Sequence, residues 1–432
     1  MIKSLMHHGY LRLFLITAQS SLTLLSSQTL PAAELVAHSE SIFRFFERDT
    51  ATGQDKQVDP FYEYLDVDIL NISGDKSLSM HFYGWGRTDF ADSGYFSDNS
   101  DGSILHGYLK YHDPADRFQL KLGRQHIFGA IANESVDGLM FKVTIPGTTI
   151  SAYGGSPVSV ASVQGRSGDA IYGGRIAHAF GSKYEVGLSY KRVTNDGIDE
   201  TRSGLDLSLN FPGGDTISGF AAYNHETSDF AEYSLDGRFT LATNLEFRPS
   251  GGRFMFDDLL VSSAKRVNIF SIVAARNADE ILTTAGGELI LKIDDEKNLG
   301  LKVKNFDYDK RGGTSQLYSS LFNWHPDEFT LSGIELGFMD GDSPADQYLL
   351  TRLHAYRDGL LEKRRIFVSG EAMYIYYDTP IYGKDDSKFA SLSLGGRFLD
   401  DDLELKLSGD YSVDPYFDKD FRTMLVMKYV FR

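Results

Sequence analysis

The sequence contains no cysteine in 432 residues. A chain without cysteine forms no disulfide, and it attaches no haem through a CxxCH motif, because that motif supplies two thiols. Proline is scarce as well, with 11 residues against 42 glycines. That balance suits many strands joined by tight turns, since glycine permits positive φ and proline interrupts strand pairing. These absences fit an exported bacterial protein.

Long hydrophobic runs and an excess of basic charge are also missing. Past residue 30 we find no run of about 18 apolar residues, which a transmembrane helix requires. The hydrophobic content of 42% is low for a helical membrane protein. The formal net charge of −17 gives no basic stripe for binding nucleic acid. Two broad classes, helical membrane proteins and nucleic-acid-binding proteins, are therefore disfavoured.

The first 33 residues have the pattern of a secretory signal. Lys3 and Arg12 lie in a basic leading region, and Leu13–Leu25 form an apolar region. Cleavage after Ala32 or Ala33 is expected. A short buried helix is the other interpretation, which the lack of helical periodicity nearby disfavours. We therefore expect two parts, a signal peptide over 1–33 and a folded unit over 34–432.

The end of the chain shows the clearest strand pattern. Leu425, Met427, Tyr429 and Phe431 alternate with residues of a second face, and a period of two residues is typical of a β-strand. A large apolar face on a terminal edge strand promotes aggregation unless the edge is covered. A closed barrel, which pairs its last strand with its first, removes that edge. The last strand of a soluble sandwich remains the alternative.

Short turns and longer connections alternate along the chain from residue 39 onward, as in barrels that cross an outer membrane. We place about twelve strands before the turn at 241–244, about eight after the turn at 294–297, and two between them. The sum predicts a single antiparallel transmembrane β-barrel of about 22 strands, within a range of roughly 18–24. Long connections are expected near 127–135, 156–168, 194–201, 308–314, 339–347, 377–387 and 412–420.

Residues 250–283 depart from this rhythm, because they mix charged residues with the apolar run 269–275. The segment either folds into the lumen and narrows it or forms one more pair of strands. If it narrows the lumen, the candidate constriction residues are Arg253, Asp257, Asp258, Lys265 and Arg266.

Alternation also predicts which side chains line the lumen, since an apolar outer face leaves the intervening residues to face inward. Charged residues on that second face are incompatible with a dry interior. Basic residues outnumber acidic ones among them, so an open pore is expected to favour anions modestly. The predicted pore-lining residues are Asp66, Asp68, His81, Arg87, Lys110, Lys121, Lys142, Arg175, Glu185, Lys191, Asp206, Lys302, Lys304, Glu371 and Lys406.

Aromatic residues concentrate toward strand ends, where rings of tyrosine and phenylalanine border the lipid of membrane barrels. Core packing in a soluble β-protein would also use aromatic residues. The residues that we assign to such girdles are Tyr62, Tyr64, Phe118, Tyr184, Tyr190, Phe211, Tyr374, Tyr376, Tyr377 and Phe398.

One stretch resembles a known family. Residues 120–125, LKLGRQ, and 136–139, VDGL, are similar to a strand–loop–strand of Gram-negative porin-like barrels of the alginate-export or substrate-specific type. Arg124 and Asp137 are expected to form an ion pair at the rim, with substrate contact as the alternative. Residues 41–48, 81–87 and 173–175 also look like barrels from metal-reducing bacteria, some of which are porin components of porin–cytochrome complexes.

The resemblance implies a function in the outer membrane of a Gram-negative bacterium. We expect a channel for passive passage of small polar or charged solutes, not an enzyme, with no cofactor and no metal site of its own. The expected partners are outer-membrane lipid and lipopolysaccharide, the barrel-assembly machinery and the solutes, but no nucleic acid. The alternative is a barrel sheath around a multihaem c-type cytochrome, which conducts electrons across the membrane with haem that belongs to the partner.

Overall fold

The computed structural model describes residues 33–50, 53–91, 93–129, 131–158, 169–195, 198–255, 280–310, 313–360, 365–415 and 419–431. The predicted signal peptide lies outside these ranges except for Ala33, so it stays a prediction. Within them, no helix is long and apolar enough to cross a membrane.

The described chain is almost entirely antiparallel β-structure, with one short 3-10 helix at Pro344–Asp346. Alternating residues with few prolines favour this outcome, because each strand can pair on both sides without interruption. The strands are β1 Glu34–Thr50, β2 Gly53–Val58, β3 Pro60–Leu70, β4 Leu78–Asp89, β5 Ser100–His112, β6 Phe118–Phe128, β7 Asn133–Ile145, β8 Thr148–Val158, β9 Ala170–Phe180, β10 Tyr184–Asn195, β11 Ile198–Asn210, β12 Thr216–Asn224, β13 Asp229–Ala242, β14 Leu245–Met255, β15 Ile281–Lys292, β16 Lys297–Tyr308, β17 Gly313–Asp327, β18 Thr330–Gly341, β19 Tyr348–Arg357, β20 Ile366–Ile381, β21 Lys384–Phe398, β22 Leu403–Val413 and β23 Asp420–Phe431.

The sheet closes on itself, because the first and last strands pair. β1 and β23 run antiparallel from Ala37 opposite Phe431 to Phe46 opposite Arg422. On its other side β1 pairs first with β3 and then, beyond Phe43, with β2. β2 and β3 are thus two parts of one position in the sheet, interrupted only at Asp59, and the closed barrel has 22 strand positions. The prediction of a single antiparallel barrel of about 22 strands is confirmed.

Two connections that we expected to be long are short. β10 extends to Asn195 and β11 begins at Ile198, so their hairpin reaches into the predicted loop 194–201. β20 and β21 likewise continue through 377–387 to a two-residue turn of Tyr382 and Gly383, whose φ angles are 49° and 80°. Positive φ at both central residues is the geometry of a type I′ hairpin turn, which matches the twist of long strands. The prediction was wrong because the acidic residues near this turn were interpreted as part of a loop, whereas they lie at a strand end.

The opposite end of the barrel has compact turns that are fixed by side-chain hydrogen bonds. In the turn between β3 and β4, the Ser73 hydroxyl and then Ser77 donate to Asp75, and these bonds lower the pKa of its carboxyl from 3.8 to about 2. Because the folded-state pKa is depressed, this contribution to stability is present above the unfolded pKa and is lost as the pH falls toward 2. Both ends of the sheet, Glu34 and Phe431, lie at this end.

Large apolar side chains cover one face of the closed sheet and remain exposed. Leu392 is 64% exposed, Leu122 is 58% and Leu188 is 57%. Burial of such residues is the usual result of folding in water, because exposed apolar area is unfavourable there. An apolar band around a closed barrel is instead what contact with lipid requires.

This geometry predicts that charge is tolerated on one face of β21 and not on the other. Leu392 and Ser391 are neighbours in sequence, so they point to opposite faces, and Ser391 lies opposite Glu371 and Asp410. Leu392→Arg should lower the free energy of unfolding in lipid vesicles by about 2–4 kcal/mol, the cost of a cation near the bilayer midplane. Ser391→Arg is the matched control and should change it little. Equal losses in urea titrations would contradict the assignment of faces.

Candidate functional site: the inner wall of the barrel

The strand register places all the predicted pore-lining residues on one face, which we call the inner wall. Lys110 lies opposite Lys121, and the same parity continues around the barrel through Ser151 opposite Arg175 and Glu288 opposite Lys302. The same parity holds across the seam, the pairing of β1 with β23, where Lys428 lies opposite Glu40. The register therefore groups these residues on one face, and the role of that face in lining a conducting pore stays a prediction.

Contacts between strands that are not neighbours indicate that this face is the concave one. β7 and β10 are three strand spacings apart, about 14 Å along the sheet. Even so, Nζ of Lys191 on β10 lies 2.7 Å from Oε1 of Glu134 on β7. Arg175 on β9 similarly donates to Asp206 on β11. Side chains can meet over such separations only where the sheet curves toward them.

Several arginines of the inner wall form ion pairs with carboxylates of the same wall. Arg175 donates to Glu185 at 2.7 Å and also to Asp206, and Arg352 donates to Glu371 at 2.7 Å. Planar guanidinium groups suit such paired contacts, which hold both partners in place. The predicted pore-lining residues Arg175, Glu185, Asp206 and Glu371 are thus present on the wall, where they take part in ion pairs.

Six lysines of the inner wall, in contrast, have no carboxylate within 4.0 Å among the described residues. Lys110, Lys121 and Lys142 come from the adjacent strands β5, β6 and β7 and form one such group, which we call the lysine patch. Lys302 and Lys304 on β16 and Lys406 on β22 are further examples. An ammonium group without a partner needs water, because desolvation of an isolated charge is very costly. These lysines therefore carry unpaired positive charge on the wall.

One predicted pore-lining residue is buried instead. Lys191 is 1% exposed and lies between Glu134, at 2.7 Å, and Glu200, at 2.9 Å. The connection between β6 and β7 bends inward over these strands, so that Ile131 contacts the wall at Gly204 on β11. Gly204 leaves room for this contact, because a Cβ there would lie 2.2 Å from Ile131. The apolar residues beneath are Ile127, Ala132, Val136, Tyr153, Ile171 and Val193.

This inward-folded connection is a feature that sequence reasoning missed. Ile127, Val136 and Ile171 have the parity of the inner wall. Apolar residues at such inward positions near one rim were the signal from which the inward-folded connection could have been predicted. Residues 127–135 were interpreted as an outside loop.

The constriction predicted over 250–283 is not found where the structure describes the segment. Residues 250–255 continue β14 and residues 281–283 begin β15, so these parts are wall strands. Arg253 has the outward parity, where its guanidinium pairs with Asp229 at 2.8 Å. The assignment of Arg253 to the lumen was wrong. Arg253 is separated along β14 from the inner-wall residues Glu246 and Arg248 by an odd number of positions, so its side chain points to the opposite face. Asp257, Asp258, Lys265 and Arg266 lie outside the described residues.

The predicted aromatic girdle is also corrected. Seven of its ten residues have outward parity, but Tyr62, Tyr64 and Tyr377 have the parity of the inner wall. Tyr62 and Tyr64 lie on the face of Asp66 and Asp68, which were correctly assigned inward. Strand parity would have assigned Tyr62 and Tyr64 to the inner wall, but the prediction followed the general preference of tyrosine for membrane interfaces. By contrast, the expected ion pair of Arg124 with Asp137 is present, with two contacts of 2.7 Å.

The histidines and acids of the wall do not assemble a catalytic or metal centre in the described ranges. His81 bonds Asp68 and Ser79, and no group of three or more metal-ligating side chains is present among the described residues. A groove of about 600 Å³ lies at the turn end of β13–β17, and its charged residues Arg238, Glu246 and Arg248 pair with one another.

Comparison with solved structures finds similar barrels at very low sequence identity. The translocation pore of the P pilus usher PapC has a TM-score of 0.50 and 8% identity, with 92% of this chain and 99% of that chain covered. OccAB3 of Acinetobacter baumannii has a TM-score of 0.45 and 11% identity over 92% and 99% of the two chains. A BenF-like porin from Pseudomonas fluorescens has a TM-score of 0.44 and 9% identity over 92% and 98%. No family model and no curated protein matches the sequence. The similarity to the usher pore shows the fold alone.

The buried lysine yields a stability prediction. Lys191→Met leaves Glu134 and Glu200 buried without their shared ammonium, and loss of one partner from a buried ion pair costs about 3–5 kcal/mol. We expect a loss of that size in the free energy of unfolding, measured by urea titration in lipid vesicles. Lys142→Met is the matched control, since Lys142 is exposed on the same face without a carboxylate partner. Similar small effects for both variants would contradict the buried network.

Proposed function

We propose that this protein is a passive outer-membrane channel for small polar or charged solutes. The observation that carries the proposal is the lysine patch on the inner wall of a closed barrel. Unpaired ammonium groups stay charged in contact with water, so they support a lumen that is wet and accessible. Solutes would pass along this wall without a chemical reaction.

The outer surface supports the location in a membrane. Its exposed leucines, such as Leu122, Leu188 and Leu392, form an apolar exterior that a closed barrel can present to lipid. The closed sheet also satisfies the backbone hydrogen bonds that lipid cannot. Outer-membrane lipid and lipopolysaccharide are the corresponding partners, and the barrel-assembly machinery would insert the chain.

The width of the barrel supports a channel for solutes larger than single ions. A closed sheet with 22 strand positions encloses a wide lumen that water, a plug or a partner must fill. Among the described residues, the inward connection at Ile131 covers the sector around β7–β11. The lysine patch lies on β5–β7 beside this sector, so solutes that pass the narrowed region would meet positive charge.

Anion preference should therefore depend on the lysine patch. In planar bilayers we expect discrete conductance steps and an anion-to-cation permeability ratio above one. Replacing Lys110, Lys121 and Lys142 together by Gln should lower that ratio by roughly twofold or more, because local charge in a cleft concentrates counter-ions.

The control is a triple variant to Gln of Lys76 and Lys183, which lie in turns, and Lys297, the first residue of β16. It has the same change in net charge, and none of its residues lies on the inner wall. Equal shifts in the two variants would contradict a role for the patch. A barrel that is purified from its native membrane with bound haem, and that conducts no ions, would contradict the channel and favour the cytochrome sheath.

A further inference from the structure

Seven aromatic side chains form a continuous surface on the inner wall of β3, β4 and β5, and we call it the aromatic wall. Its members are Tyr62, Tyr64, His81, Tyr83, Trp85, His106 and Tyr108. The ring centroids of Tyr64 and Tyr83 are 6.3 Å apart, those of Tyr83 and His106 are 5.4 Å apart, and those of His81 and Tyr108 are 5.0 Å apart. Tyr62 extends the surface to Trp85, at 6.3 Å. Each ring thus touches or approaches the next across three strands.

Both ring nitrogens of His81 bond to Asp68 and Ser79, but most other polar atoms of this surface have no partner among the described residues. Within the described residues, no hydrogen bond is made by the hydroxyls of Tyr62, Tyr64, Tyr83 and Tyr108 or by the indole nitrogen of Trp85. Tyr377, on the same face elsewhere, differs because its hydroxyl lies 3.0 Å from Ser387 and is buried. All seven members of the aromatic wall are partly exposed. The wall therefore offers both apolar ring faces and free hydrogen-bonding groups to the lumen.

Carboxylates border the aromatic wall on one side. Glu40 lies opposite Tyr64, Asp66 lies opposite Tyr83, and Asp68 lies opposite and bonds His81. An anionic ligand lying on the rings would approach these acids, so the local charge disfavours it. The acids can instead accept hydrogen bonds from ligand hydroxyls.

Cationic side chains border the other edges. The guanidinium of Arg44 lies 5.5 Å from the ring of Tyr62, and Nζ of Lys121 lies 4.7 Å from the ring of Tyr108. These groups already occupy the positions where an organic cation would stack on an electron-rich ring. With charge of both signs around it, the surface suits a neutral ligand.

We infer that the aromatic wall binds neutral oligosaccharides during their passage through the lumen, an inference that rests on the proposed channel function. Sugar rings present C–H faces that pack on aromatic rings, and they carry hydroxyls that match the free tyrosine, tryptophan and carboxylate groups. Trp85, Tyr83 and His81 occupy alternate positions of β4 and span about 13 Å. Two or three consecutive sugar rings can lie along that length.

Binding can be measured without conduction. The chain has two tryptophans, and one of them, Trp85, belongs to the aromatic wall. Trp324 has the outward parity of β17, so Trp324→Phe leaves Trp85 as the single emitter. In the full chain in lipid nanodiscs, titration with maltohexaose and cellohexaose should change the Trp85 emission saturably. Benzoate and tetraethylammonium, at equal concentration, should not.

Two substitutions test the surface, each made in the Trp324→Phe background. Tyr83→Ala removes the central ring and should weaken sugar binding roughly tenfold, while Tyr83→Phe should retain most of it. Tyr64→Ala gives an independent loss if Tyr83→Ala fails to fold. Phe220→Ala is the matched control, because Phe220 is a partly exposed ring on the inner wall of β12 without an aromatic neighbour within the described residues.

The outcomes separate this inference from the channel proposal. Current interruptions by the hexaoses in planar bilayers, reduced by Tyr83→Ala and not by Phe220→Ala, would support both. Ion conduction with no hexaose effect on Trp85 emission would overturn the inference and leave the channel. A saturable response to tetraethylammonium or benzoate alone would also overturn it. Saturable hexaose binding to a barrel that never conducts would retain the binding surface and overturn the channel.

Discussion

The pairing of β1 with β23 is the constraint on which the rest of the structure depends. It satisfies the backbone groups of both edge strands and fixes the register around the whole barrel. Since side chains alternate across a strand, that register decides the face of every residue. A shift of β1 by one residue at the seam would turn Glu40 toward the apolar exterior and away from Lys428. The polar wall and the apolar exterior are therefore two consequences of one set of hydrogen bonds.

Some charged residues of the inner wall form ion pairs, and others have no oppositely charged partner among the described residues. Arg175 and Arg352 bond carboxylates of neighbouring strands and link the wall together, whereas the lysine patch has no such partner. The aromatic wall on β3–β5 and the patch on β5–β7 are adjacent, with Lys121 over Tyr108 at their boundary. A solute in the lumen would therefore meet stacking surfaces and positive charge side by side. The covered sector near Lys191 makes the wall asymmetric.

Strand number and facing could be predicted from the sequence because both depend on local periodicity. The turns at 241–244 and 294–297 divided the chain correctly, and Asp66 and Lys302 received the right face. Arg253 did not, because residues 250–283 were interpreted as a segment that could fold into the lumen, whereas residues 250–255 continue β14. The contact of Ile131 with Gly204 could not be predicted either, since it joins residues distant in sequence across the curved wall. The long hairpin ending at Tyr382 was missed because acidic residues there resemble a loop.

The central claim is that one closed sheet separates a watery inner wall from a lipid-facing exterior, and cysteine scanning tests it most directly. The native chain contains no cysteine, so a single cysteine introduced at position 301, 302, 303 or 304 on β16 is the one thiol that a reagent can label. In lipid vesicles, cysteines at 302 and 304 should react with a charged, water-soluble thiol reagent. Those at 301 and 303 should be protected from it, and fluorophores attached there should be quenched by nitroxide lipids. Equal reactivity at all four positions, or the reverse alternation, would contradict the account.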